Sequence, residues 1–376
     1  MRDPRQALTA VARSGGGVVE LRPGTWLVTD PATTERLLAS RHALTARTEQ
    51  GADVISWGED GLERWMAARR AMRPGLTAAA AARFEPTTGS YARRAVTGWA
   101  SMTSIDAMAE ATRLMAAVNT HYVLGEPAPV ITALVGNELS AAQRTRFPVS
   151  RRLPRRQLAT YTALRTHLRD RTPARGLVAD LAAAGLDERS TTLAVRAMLL
   201  SSHHVPAAAL AWALHELSRC PDLQRKIRDE ATALPDPGAA DLPLCRAVVR
   251  ETLRLHPPIW QLRRVLDAPV PGFPAGAEVL FSPYLNHRDP AVHLDPDRFD
   301  PHRWTSAPRP SPGSYLPFGL GHRFCPGSHL ATAELTVVLA AVLAGHHVLP
   351  RQTPKPLRGV LNAPHRLRVA LVPRPR

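Results

Sequence analysis

Apolar residues recur at helical spacing over most of this chain, while short strand-like runs bounded by Gly and Pro are confined to a few stretches. Residues 4–13 read as a short amphipathic helix ended by Gly15-Gly16-Gly17. Val18–Leu21 and Thr25–Val28 predict a hairpin around Arg22-Pro23-Gly24. A helix over Pro31–Ala39 follows, with Asp30 as N-cap and Pro31 at the first helical position. The stretch Arg41–Leu62 is short and irregular. Helical patterns then run to Leu186, with breaks predicted at Gly75, at Pro86-Thr87-Thr88-Gly89, from Gly125 to Pro129, and across the basic, proline-bearing stretch Arg144–Arg156.

A long apolar helix is expected from about Ser190 to Arg219, then helices over Asp222–Leu234 and Asp241–Leu255, the last stopped by His256-Pro257-Pro258. Strand-like pieces with Pro and Gly turns fill 259–282, and a meandering loop rich in Asp, Pro and Arg leads to a final apolar helix over Leu330–Leu343. No internal repeat or linker divides the chain. The pattern predicts one domain over residues 1–376, mainly α with a small β-rich lobe (α+β).

With 376 residues, 44% of them hydrophobic, the chain can bury a large core. Its three cysteines, Cys220, Cys245 and Cys325, cannot all pair and show no C-x-x-C spacing, which points to a reducing compartment and away from a disulfide scaffold or zinc ribbon. The N-terminal residues form no apolar signal-like region, and no uninterrupted run of about 18 apolar residues occurs. A soluble cytoplasmic protein without a membrane partner is therefore expected. The net charge of +16 would suit a polyanion, yet the only lysines are Lys226 and Lys355 and the arginines are scattered. No helix-turn-helix or zinc spacing accompanies them, so nucleic acid is not expected as a partner. We attribute the excess mainly to arginine-rich coding, with part of it forming a docking face for an acidic electron-transfer protein.

The chemistry concentrates in Phe318-Gly319-Leu320-Gly321-His322-Arg323-Phe324-Cys325-Pro326-Gly327. A lone cysteine stands between glycines at the mouth of the last apolar helix, where the helix dipole and free N–H groups favour a thiolate suited to a metal. Gly321 and Gly327 permit tight turns and close approach to a flat ligand, and Arg323 offers charge to an anionic edge. An isolated cysteine is more often simply buried. The flanking pattern decides otherwise here.

This stretch resembles the haem-binding loop of the cytochrome P450 family, Phe-x-x-Gly-x-x-x-Cys-x-Gly followed by Leu-Ala. Phe318, Gly321, Cys325, Gly327, Leu330 and Ala331 match it. The resemblance extends over roughly Asp3 to Ala370 and implies a cytochrome P450 fold. Haem b (iron protoporphyrin IX) would lie between a long distal helix and a proximal cysteine loop, with Cys325 as the metal ligand. It also implies that Glu251, Arg254 and Arg298 interlock as a charge triad behind the loop, with Asp297 where Glu is more usual. Trp65, Arg69, Arg264 and Arg323 fall at positions that contact the haem propionates. The stretch Arg41–Leu62 corresponds to a segment over the substrate and is abbreviated here, and Arg144–Arg156 corresponds to mobile lid helices.

One departure matters. Val195–Leu214 aligns with the family's distal helix, but Ser201-Ser202-His203-His204-Val205 stands where the family has a small-residue pair followed by an acid and an alcohol that pass protons to dioxygen. His204 or His203 can replace the donor, the substrate can supply it, or the reaction can need no such relay. Adjacent histidines project about 100° apart on a helix, so at least one is expected to be structural. Pro206 bends the helix or fixes a bend already there.

The resemblance implies a monomeric haem-thiolate oxidoreductase of the soluble bacterial type. It would use O2 and electrons from a ferredoxin or flavodoxin with its reductase to tailor a specialised metabolite, a small molecule or a modified peptide. Dehydrogenation, oxidative decarboxylation, coupling and hydroxylation are the reactions considered. Two alternatives are carried forward: peroxide-driven turnover, and a haem-binding sensor or carrier without catalysis.

Overall fold

The computed structural model describes residues 4–44, 61–144, 152–170, 176–306, 310–356 and 361–373. The order of elements begins α1 (Pro4–Ser14), β1 (Val18–Arg22), β2 (Thr25–Val28), α2 (Pro31–Ala39) and β3 (Ala43–Leu44). Helices dominate next: α3 (Gly61–Ala71), α4 (Ala78–Ala100), β4 (Ile105–Asp106), α5 (Ala107–Leu124), α6 (Pro129–Arg144), α7 (Arg152–Asp170), α8 (Leu177–Ala183), α9 (Glu188–Ser218), α10 (Pro221–Thr232) and α11 (Pro243–Leu255). The rest comprises β5 (Leu262–Leu266), β6 (Glu278–Phe281), α12 (Pro283–Asn286), α13 (Arg303–Ser306), α14 (Ser328–Gly345), β7 (His346–Pro350), β8 (Lys355–Pro356), β9 (Pro364–His365) and β10 (Arg368–Pro373). Two compact units result, the first made of Met1–Glu49, Ala247–Cys325 and Pro356–Pro364, the second of Gln50–Arg246, Pro326–Lys355 and His365–Arg376.

The first unit carries the β-rich part, a five-stranded sheet in the order β1-β2-β6-β5-β3. The predicted hairpin forms, and β2 adds β6 in parallel, Thr25 opposite Glu278. One face of the sheet buries Val28, Leu266, Val279 and Phe281 with Leu37 and Leu38 of α2 and with Leu316. The α2 helix starts where its sequence signals say: the Asp30 carboxylate accepts the Thr33 N–H at 2.7 Å and Pro31 opens the first turn.

The second unit is helical. The 31-residue α9 is capped by Asp187, whose carboxylate accepts the Ser190 N–H at 2.8 Å. It packs against α5 and α7, burying Leu193, Val195, Leu199, Leu210 and Leu214. The predicted break at Pro86-Thr87-Thr88-Gly89 does not occur, and α4 runs through it. Pro86 removes one helical hydrogen bond, but α4 lies along α14 and buries Ala81, Thr88, Gly89, Ala92, Val96 and Trp99, which outweighs the local cost. The helix α7 begins within the basic stretch Arg144–Arg156, where the sequence predicts a break, with Pro154 in its first turn, where no helical N–H bond is lost. Residues 145–151 of that stretch lie outside the described residues. So do 45–60, most of the Arg41–Leu62 stretch. Among the described residues two helices, α9 and α14, are long and apolar enough to cross a membrane by length and composition, their apolar stretches being interrupted by polar residues; 72% and 67% of their apolar windows are buried in the structure.

Candidate functional site

In the first unit α11 sets Glu251 and Arg254 on one face, three residues apart. Both side chains are fully buried. Arg254 uses every N–H it has: Nε and Nη2 donate to the two Glu251 oxygens at 2.8 and 2.9 Å, Nη1 to the carbonyls of His287 and Pro296, and Nη2 also to the carbonyl of Arg298. The Glu251 carboxylate in turn accepts the Asp300 N–H at 2.9 Å, the Arg303 Nε at 3.1 Å and the Trp304 indole N–H at 2.9 Å. Removing two charges from water is tolerated only when the geometry is this complete, and losing one member would strand the other.

The second guanidinium on Glu251, and so the third member of the cluster, thus belongs to Arg303. Arg298 is exposed and contributes its backbone carbonyl. The sequence offers two runs of the form Pro-x-Arg-aromatic, Pro296-Asp297-Arg298-Phe299 and Pro301-His302-Arg303-Trp304. Sequence reasoning settled on the first. The second carries Arg303 on the short helix α13, which brings both Arg303 and Trp304 onto Glu251. Asp297 pairs with Arg288 instead, at 3.0 Å.

Leu316 leads from this cluster into the cysteine loop. The Gly319 N–H donates to the Leu316 carbonyl at 3.1 Å, the Phe324 N–H to that of Gly321 at 3.0 Å, and the Cys325 N–H to that of Phe318 at 2.8 Å. Phe318 meets Phe324 edge-on, centroids 6.4 Å apart. Gly321 has φ of +68°, and a Cβ there would sit 2.2 Å from the Leu38 carbonyl oxygen at the end of α2, so backbone seated on backbone requires glycine. Gly327 has an ordinary φ of −83° and is the N-cap position of α14. Its conformation does not call for glycine. Arg323 lies half-buried in the short turn Gly321–Arg323, and Arg264 is buried on β5 with Nη1 donating to the Arg263 carbonyl.

The three cysteines differ in accessibility. Cys245 is fully buried, its Sγ donates to the Thr336 carbonyl at 3.3 Å, and burial pushes its thiol up. Burial also raises Cys220. Cys325 is partly accessible, on a loop fixed by its own N–H. A haem would need from the protein one donor atom for its iron and cations near its carboxylates. An accessible thiol on an ordered loop, with arginines on the loop and on β5, fits that request.

In the second unit, Trp65 and Arg69 of α3 lie half-buried with the guanidinium 5.8 Å from the indole centroid. Within α9, His203 is fully buried and its Nε2 is 3.3 Å from Thr120 Oγ of α5. Burial, with a smaller part from His204, lowers its pKa to about 3 and keeps it neutral. His204 is also buried and likewise pushed towards the neutral form. The accessible side of this turn belongs to other residues: Ser201 is exposed and Val205, four residues on, is partly so. The Ser201 hydroxyl is 2.9 Å from the Ala197 carbonyl and 3.0 Å from that of Met198. Sequence reasoning fixed on the histidines because of their chemistry; helical spacing from Val205 would have pointed to Ser201.

Comparison with known proteins agrees with this geometry. The sequence model for "Cytochrome P450" matches residues 163–370, more than half of the chain. Human mitochondrial 25-hydroxyvitamin D-1 alpha hydroxylase is 37% identical over 178 residues, 44% of this chain and 35% of that protein. Cyclooctatin synthase of Streptomyces melanosporofaciens is 35% identical over 198 residues, 48% of this chain and 42% of that protein. The matched part thus spans less than half the length of either relative. The crystal structure of a cytochrome P450, CYP102L1, superposes with a TM-score of 0.83 at 22% identity, covering 99% of this chain and 98% of that one. The chain belongs to the cytochrome P450 family, with the mainly helical fold and small sheets that this implies.

Proposed function

We propose that this chain is a single functional domain holding one haem b through Cys325, and that it is a monooxygenase-type oxidoreductase. The observation that carries the proposal is the half-accessible Cys325, on a loop whose entry is braced by the saturated Glu251–Arg254–Arg303 cluster. Bound there, the haem would supply dioxygen activation and hydrogen abstraction. The chain's own part is to present a thiolate, to neutralise the propionates with Arg264 and Arg323, and to keep the loop from shifting; the family resemblance alone gives Arg69 and the Trp65 N–H a propionate role.

Donation of protons falls to the accessible turn of α9. Family members name an acid and an alcohol there; here we assign the hydroxyl role to Ser201, with His204 as the nearby imidazole and His203 as the structural pin against α5. A shifted hydroxyl favours reactions less dependent on a standard relay, such as dehydrogenation, decarboxylation or coupling, alongside hydroxylation. Electrons would come from a ferredoxin or flavodoxin with its reductase, attracted by the basic charge. The relative named cyclooctatin synthase supports a small specialised metabolite as substrate, with a peptide-derived one as the alternative. The largely buried α9 and α14 support a soluble, cytoplasmic protein.

Haem-loaded protein with ferredoxin and reductase, screened against such metabolites for a spin-state change and then for oxidised product, tests the proposal. A spin-state change with product supports it. Binding without any oxidation under turnover conditions would leave a haem sensor or carrier, a reading that the missing acid at position 204 favours. Equal product with hydrogen peroxide alone would favour the peroxide-driven route.

A further inference from the structure

The cluster behind the cysteine loop contains a buried side chain that the triad does not explain. His287, between α12 and the meander, is fully buried. Its Nδ1 is 3.1 Å from the carbonyl oxygen of Arg254, and its Nε2 is 2.7 Å from the backbone nitrogen of Leu316. A carbonyl can only accept and an amide N–H can only donate, so Nδ1 carries the proton and Nε2 offers its lone pair. Only the neutral imidazole in that one tautomer satisfies both bonds. The pairing with Arg254 is reciprocal, since Arg254 Nη1 donates to the His287 carbonyl at 2.8 Å. Tyr315 lies beside the ring, centroids 5.2 Å apart, with its hydroxyl donating to the Arg250 carbonyl at 3.0 Å. One imidazole therefore joins the end of α11 to the chain at Leu316, two residues before the Phe318 carbonyl that holds the Cys325 N–H.

We propose that His287 is a positioning residue for Cys325: its ring transmits the placement of Arg254 to Leu316 and so sets where the cysteine loop begins. The Arg254 arm anchors the ring, and the Leu316 arm does the positioning. Burial lowers the His287 pKa to about 3, which agrees with a ring kept neutral for this double bond. The inference rests on the proposal that Cys325 ligates a haem.

The two arms can be separated by substitution. Glutamine places an oxygen near the Nε2 position and can still accept the Leu316 N–H, whereas asparagine places an amide nitrogen near Nδ1 and can still donate to Arg254. The full chain is prepared with haem, as wild type, His287→Gln and His287→Asn. The ferrous–carbonyl absorption of each is read as the ratio of the long-wavelength, thiolate-type band to the shorter-wavelength band of a lost or protonated thiolate, with thermal midpoints recorded alongside. His287→Gln is expected to keep the ratio within about twofold of wild type, and His287→Asn to lose it by roughly tenfold, the scale of leaving one buried N–H unsatisfied. An Asn variant with the wild-type ratio overturns the proposal. So does a Gln variant that loses the ratio as fully as Asn, or failure of both to fold, which would make the ring a plain structural support. Absence of the thiolate-type band in the wild type would instead overturn the haem-thiolate reading itself, and this inference with it.

Discussion

Two buried carboxylates, one in each unit, sit in opposite electrostatic environments. Glu251, behind the cysteine loop, accepts from two guanidinium groups, an indole and a backbone N–H. Glu334, on α14 in the second unit, is as deeply buried but accepts only the Asn119 amide at 3.2 Å, and burial pushes its pKa up to about 8. The first environment is built to keep a charge in place. The second is built to keep a proton on. The same contrast holds for the histidines: both ring nitrogens of His287 are bonded, while His203 in α9 has Thr120 on Nε2 and no hydrogen-bond partner on Nδ1. Rigid, saturated polarity lies where α11 meets the chain that leads into the cysteine loop. Looser polarity surrounds Glu334 on α14 and His203 on α9.

Breaking the saturated side should cost most. Arg254→Ala leaves the Glu251 charge buried with fewer partners, at about 3–5 kcal/mol. We expect no soluble haem-loaded protein, checked by yield and absorption spectrum; soluble, fully loaded Arg254→Ala protein would refute the bracing role. Arg303→Ala should cost about 1–3 kcal/mol in thermal or denaturant unfolding, because Arg254 and Trp304 still hold Glu251. Arg298→Ala should stay within about 0.5 kcal/mol, since that side chain is exposed. Reversal of the two would restore Arg298 as the third member.

The looser side is sharpened by pH. The Glu334 pKa in the folded chain lies above the ordinary value of 4.5, so the folded state holds a proton that the unfolded state releases over the window from 4.5 to about 8. Its contribution to stability is therefore fully present below pH 4.5 and is lost as pH rises through about 8. Glu334→Gln should remove this part of the slope, gaining on the wild type by up to about 5 kcal/mol as pH rises across the window. Parallel stability profiles for the two proteins would contradict it. The smallest change in stability is expected for Ser201→Ala, within about 0.5 kcal/mol, yet this variant should couple fewer electrons to product than His203→Ala does per folded molecule. The ratio of product to electrons consumed checks this, and an unchanged ratio in Ser201→Ala would remove the hydroxyl from the account.

Legibility in the sequence followed the same division. Where a motif is local, the reading and the structure coincide: Asp30 caps α2, Pro257 ends α11, and the spacing of Glu251 and Arg254 becomes a bidentate pair. Where the answer depends on three-dimensional neighbours, sequence reasoning could not choose. Two Pro-x-Arg runs lie five residues apart, and only the path of the meander brings Arg303 rather than Arg298 onto Glu251. Pro86 and Gly89 are strong local breakers, but α4 packed along α14 overrides them. Gly321 was legible as a required glycine, though its reason is the Leu38 carbonyl beneath it. His287 carried no motif at all, because its role is set by two backbone groups distant in sequence.

The central claim is that Cys325, on its braced loop, is the ligand of a haem. The ferrous–carbonyl spectrum of the haem-loaded full chain, compared between wild type and Cys325→Ser, tests it most directly. We predict the long-wavelength thiolate band in the wild type and its complete loss in Cys325→Ser with the fold retained; a wild type without that band, or a Cys325→Ser variant that keeps it, would contradict the account.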